Sequence, residues 1–154
     1  MRDYATLAIP EYTIDLDPTH QVLRVTHGEV VTDQIALDGY RALGRLAAQG
    51  GPYALITDCS EVKELKLSAD TARYLALAPP AVPAGRPRIV VVNRVLMYGL
   101  TRMIASTRTA MGLQFYIVWS VDEAYAMLGI SPEDFSRRLI PEDTVAAGSV
   151  REYP

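Results

Sequence analysis

Three short, almost uninterrupted apolar runs, YALIT (53–57), RIVVVN (88–93) and LQFYIVW (113–119), restrict the fold of this chain more than any other feature. YALIT, with almost no polar alternation, is expected to be covered on both faces and central in the sheet, RIVVVN to be the next buried strand and LQFYIVW the last strand, with helices packed on the sheet. The stretches between the runs supply those helices. Ser68 precedes ADTARYLALA, with Asp70 placed where a negative charge suits the positive end of the helix dipole. A long helix spans about Arg94 to Met111 and is closed by Gly112, and SVDEAYAML is a short helix capped by Ser120 and ended by Gly129.

The N-terminal part has a different period. YTIDLD (12–17) and QVLRVTHG (21–28) alternate apolar and polar side chains around PTH, the pattern of an antiparallel hairpin with one face on the core. From Thr32 the apolar residues Ile35, Leu37, Tyr40, Leu43, Leu46 and Ala47 recur at three- and four-residue steps, giving an amphipathic helix that Thr32 or Asp33 can cap and that ends at Gly50 and Gly51. The prolines of PPAVPAGRP (79–87) cannot continue a helix, so that segment is a loop able to act as a lid. Ser131 and Pro132 start a terminal helical turn, and residues 141–154 read as a frayed tail. The order β-β-α-β-α-β-α-β-α predicts one α/β domain over 1–154. In it a mixed sheet of about five strands begins with the antiparallel hairpin and continues through right-handed βαβ crossovers, with helices packed on the sheet.

Composition narrows the function. The formal net charge of −3 argues against nucleic acid, which selects clustered lysine and arginine. The longest purely apolar run, IVVV at 89–92, is far short of the roughly 20 residues of a membrane span. With the single cysteine Cys59 no internal disulfide can form, and a cytoplasmic protein without a targeting segment is expected. Cys59 reads as a structural cysteine, and His20 and His27, in or beside the hairpin with only Asp15, Asp17 or Glu29 near them, read as surface histidines and a poor metal site. No Gly-x-Ser-x-Gly elbow, phosphate loop or nucleophile with an evident base is present, so no enzyme, metal or cofactor is expected.

The strand ending in Asp58-x-Ser60, followed by apolar Val62 and Leu65 and by Ser68 at the next helix start, resembles the STAS-like (SpoIIAA-like) family. That family includes the bacterial anti-sigma-factor antagonists, and the chain also resembles small bacterial SpoIIAA-like proteins grouped with Sec14-type domains. The resemblance covers roughly residues 10–130 and implies a regulatory or protein-interaction module, or alternatively a small-ligand or lipid-binding protein. In the antagonists the pattern continues through an acidic residue, a phosphorylatable serine, a small hydroxyl residue and glycine. Here those places hold Lys66, Leu67, Ser68 and Ala69, so the phosphoserine switch motif is not intact.

Six residues are candidates for binding a ligand or partner. Asp58 and Ser60 could orient a ligand or simply bond to neighbouring backbone amides in a turn. Ser68 is a phosphoacceptor or, the preferred reading, a helix cap. On the long helix, Leu96, Leu100, Met103, Ile104, Thr107 and Met111 make the packing face, leaving Arg94, Tyr98, Thr101, Arg102, Ala105 and Arg108 available. Arg94, Tyr98 and Arg102 would there receive an acidic partner, an anionic ligand or, through self-complementary surface at the Tyr98 face or an exposed N-terminal edge strand, a second copy in a homodimer.

Overall fold

The computed structural model describes residues 11–83, 85–141 and 150–153. In chain order the elements are β1 (Tyr12–Asp17), β2 (Val22–His27), β3 (Val30–Thr32), α1 (Asp33–Gln49), β4 (Ala54–Asp58), β5 (Glu64–Lys66), α2 (Ala69–Leu77), β6 (Arg88–Val91), α3 (Val95–Ala110), β7 (Phe115–Val118), α4 (Val121–Leu128), a 3-10 turn (Pro132–Asp134), β8 (Arg137–Pro141) and β9 (Val150–Tyr153).

The apolar runs become β4, β6 and β7, which lie side by side and parallel, with β4 also parallel to β2. Strands β2, β4, β6 and β7 advance in one direction across the sheet, so the crossover helices α1, α2 and α3 fall on the same face. That face carries Leu23 and Val25 of β2, Leu55 of β4 and Val90 of β6. The opposite face carries Val22, Ala54, Ile56, Ile89, Val91 and Val118, covered by Ala124 and Tyr125 of α4. Caps mark the helix starts that the sequence signalled: Thr32 for α1, Ser68 for α2 and Ser120 for α4 each accept a backbone N–H through the side chain. Gly129 closes α4 in the left-handed conformation, at φ 67°.

The sheet is larger than the expected five strands. Among the described residues it has seven, in the order β7-β6-β4-β2-β1-β8-β9, and a separate parallel pair joins β3 to β5. Strand β8 runs antiparallel to β1, so the N-terminal hairpin is interior and offers no exposed edge, contrary to expectation. Within the span expected to fray, Val150–Tyr153 pairs with β8, while residues 142–149 and 154 lie outside the described residues.

The hairpin is expected to place one face on the core, yet Asp15 and Asp17 on its other face are buried as well. The sequence distance hides the reason. Arg138 of β8 donates from Nε to Asp15 Oδ1 at 2.7 Å, and Arg24 of β2 donates to Oδ2 at 3.1 Å. Arg24 in turn stacks on Phe135, 4.3 Å from its ring centroid, and donates to the Tyr125 hydroxyl. These bonds repay the desolvation of the carboxylate. Asp17 takes the Thr19 and His20 amides and the His20 ring nitrogen, closing the hairpin turn.

Candidate functional site

The loop from Asp58 to Ser68 is fastened along its length. Asp58 Oδ1 accepts the Ser60 amide at 2.9 Å, and Asn93 Nδ2 donates to the carbonyls of Ser60 at 2.8 Å and Val62 at 2.9 Å. Arg94 donates to the Lys63 carbonyl, and β5 pairs with β3. Ser68 donates its amide to Asp33 Oδ1 at 2.8 Å and accepts the Thr71 amide at 3.1 Å, which caps α2. Those bonds hold the Asp33 carboxyl below its ordinary range. Asp58, Ser60 and Arg94 therefore meet at this loop, whereas Tyr98 lies stacked on Trp119, at a centroid distance of 5.2 Å and 16° between planes, and Arg102 is exposed further along α3.

The faces of α3 differ from those the helical wheel suggested. The inward stripe is Met97, Thr101, Ile104 and Arg108, and Leu96, expected to pack, is 83% exposed, with Met103 and Met111 also exposed. Two stripes of this helix are apolar enough to pack, and the wheel favoured the one without arginine. The protein instead turns Arg108 inward, where Nη1 donates to Ala78 O at 2.7 Å and Nη2 to Leu75 O, so that the guanidinium caps the carboxyl end of α2.

Arg108 reaches a partly open cavity of about 220 Å³ bounded by the sheet, the helices α1, α2 and α3, and the 79–87 loop. Most of its lining is apolar: Val25, Leu43, Leu55, Val90, Ile104 and Phe115 among others. Its roof is tied at both ends. The Tyr40 hydroxyl donates to Pro79 O, and Arg86 donates to the carbonyls of His20, Gln21 and Pro52. Val82 is buried in the core between those ties, so the loop is a wall of the cavity. Gly39 of α1 also lines it, and a Cβ built there meets nothing within 4 Å.

The polar groups in this lining are few and unusual. Arg88 and Arg108 are each only 6% exposed, and among the described residues the lining contains no carboxylate. Among the described residues Arg88 Nη2 is buried without a hydrogen-bond partner, and Nη1 makes one long contact of 3.4 Å to Arg86 O. Burial lowers both guanidinium pKa values, and Arg108 adds like-charge repulsion at Arg88. His27, expected at the surface, is 9% exposed, with Nδ1 buried and unpartnered. Burial depresses its pKa to about 4, against the opposing pull of Asp58.

None of the six residues singled out from the sequence lines this cavity. Its polar members were legible only in part: the two-residue period places His27 on the face of Leu23 and Val25, and Arg88 on the face of Val90. Arg94 lines a second groove of about 350 Å³ between β5 and the start of α3, with Val62, Leu65, Leu67, Leu96 and Leu100. There Lys63 pairs with Glu29 at 3.0 Å and Arg94 is held by the Lys63 carbonyl, so its cations are already engaged. Asp17, His20 and Asp134 bring ligand atoms within 4.8 Å of one another, but hydrogen bonds within the hairpin turn and the 3-10 turn account for that cluster. Cys59 is half-buried, and its thiol is pushed up to about 12 by burial and by Asp58. Among the described residues no helix is long and apolar enough to cross a membrane.

Comparison with models of known protein families, with characterised proteins and with solved structures finds no match.

Proposed function

We propose that this protein binds a small, largely apolar organic molecule in the cavity beneath the 79–87 loop. The observation that carries this reading is Gly39. A glycine inside a helix costs about 1 kcal/mol relative to alanine, and a buried one is normally kept because a neighbour presses against it. No neighbour does so here; the space a side chain would take is cavity. At about 220 Å³ that space is below the roughly 300–1,000 Å³ of drug-sized sites, which points to a short ligand and not a long-chain lipid. Mass spectrometry of the gently purified protein, compared with Gly39→Leu, tests the reading. A co-purifying small molecule lost in a Gly39→Leu protein of undiminished stability supports it, and the same ligand content in both proteins removes it.

A second reading, an interaction module of STAS-like type that also forms the homodimer, is favoured by the exposed apolar side chains of α3. Val95 and Leu96 are more than four-fifths exposed, and Leu96 continues into the groove beside β5. Contiguous apolar surface of this kind is a recurrent mark of protein contact. Light scattering at high concentration, with wild type and Leu96→Glu, checks the self-association arm: a dimer dissociated by the substitution supports it, and monomers throughout remove it.

A further inference from the structure

We infer, building on the ligand-binding reading of the cavity, that its occupant is a short carboxylic acid whose carboxylate is received by Arg88 and whose apolar body lies among Leu43, Leu55 and Ile104. Two guanidiniums in one mostly apolar space are costly unless something compensates their charge. For Arg108 the compensation is visible, since the terminal carbonyls of α2 accept its protons. For Arg88 it is not. Among the described residues its Nη2 is buried without an acceptor, its other hydrogen bond is long, and the lining offers no acidic side chain.

An acceptor carried by what fills the space would complete the hydrogen bonding of Arg88. A guanidinium presents its donors as a planar fork that matches a carboxylate bidentately. With the nearby Arg108 already donating to two carbonyls, few donors remain, which suits one carboxylate better than a phosphate with its three terminal oxygens. The apolar remainder of the lining and the volume of about 220 Å³ favour a body the size of a short alkyl chain or one aromatic ring. Arg88 also sits where such a group can be held rigidly, on a central strand with its backbone paired to β4 and β7.

The test is calorimetric titration of hexanoate and benzoate against the matching neutral amides, hexanamide and benzamide, with hexyl phosphate as the alternative anion. Wild-type protein is expected to bind the acids at least about tenfold more tightly than the amides. Arg88→Met, which removes the buried charge while keeping an unbranched side chain, is expected to erase that preference and leave amide binding in place. Arg88→Lys, which keeps the charge without the fork, is expected to retain part of it. Equal affinity for acid and amide, or a preference that survives Arg88→Met, overturns the carboxylate assignment while the cavity reading stands. Tighter binding of hexyl phosphate than of hexanoate overturns the choice of carboxylate. If no probe binds and Gly39→Leu equals wild type in every titration, both the assignment and the cavity reading fall.

Discussion

Acidification should weaken this fold through His27. Its imidazole lies on the core face of β2 beside Val25, with burial as the dominant effect on its pKa and the Asp58 charge opposing it. Folded, it stays neutral down to about pH 4, whereas in the unfolded chain it takes up a proton near its ordinary value of 6.5. The direction follows from the lowered pKa of a base: the stability tied to the neutral ring is complete above pH 6.5. It drains away as the pH falls toward about 4, because only the unfolded state binds the proton there. At pH 5 the loss relative to pH 7.5 amounts to about 2 kcal/mol, and the full shift corresponds to about 3 kcal/mol. Set against the ~5–15 kcal/mol typical of a domain, that is a substantial fraction.

Urea unfolding of wild type and His27→Leu at several pH values between 7.5 and 5 isolates the contribution, since every other titrating group is common to both proteins. The wild type should lose about 2 kcal/mol more than the variant over that range. An imidazole resonance of His27 titrating near 6.5 in the folded protein, or identical pH slopes for the two proteins, would refute the reasoning. Asp58→Asn provides a further check of sign. Removing the carboxylate takes away the one charge that favours the imidazolium, so the His27 midpoint should move lower still.

Two other outcomes follow from the 58–68 loop. Ser68→Ala should lower stability by about 0.5–2 kcal/mol through loss of the α2 cap, and Ser68→Asp should keep most of it because aspartate caps well, both read by thermal or urea unfolding; a neutral Ser68→Ala would show that the cap contributes nothing. Iodoacetamide should alkylate Cys59 on the order of a hundredfold more slowly in the folded protein at pH 8 than in urea, since a thiol pushed up to about 12 holds almost no thiolate there; equal rates would place the thiol in water.

Periodicity carried the elements well where they were long or strongly patterned. The runs at 53–57, 88–93 and 113–119 and the capped helices after Thr32, Ser68 and Ser120 all appear where their residues put them. Strands β3 and β5 were not legible because three residues are too few to show a period. The placement of β8 beside β1 was hidden for another reason. Its decisive contact joins Arg138 to Asp15 across more than a hundred residues, and alternation in YTIDLD says only that Asp15 and Leu16 face opposite ways. The carboxylate on the second face is buried and bonded to Arg138 and Arg24, which the alternation does not show.

The cavity was illegible for a more general reason. A helical or strand period states which face of an element turns inward, but the space left behind that face depends on side-chain volume summed over elements distant in sequence. Ala36 and Gly39 on α1 and Ala81 in the 79–87 loop are each unremarkable in their own segments. Brought together opposite Leu55, Val90 and Phe115 of the sheet, they underfill the gap between helices and strands. The stripe of α3 that faces inward contributes Ile104 and Arg108 to the lining, so a cation stands in it. An underfilled core that also buries charge is expensive on both counts, and an occupant supplying both volume and a negative group would relieve both costs at once.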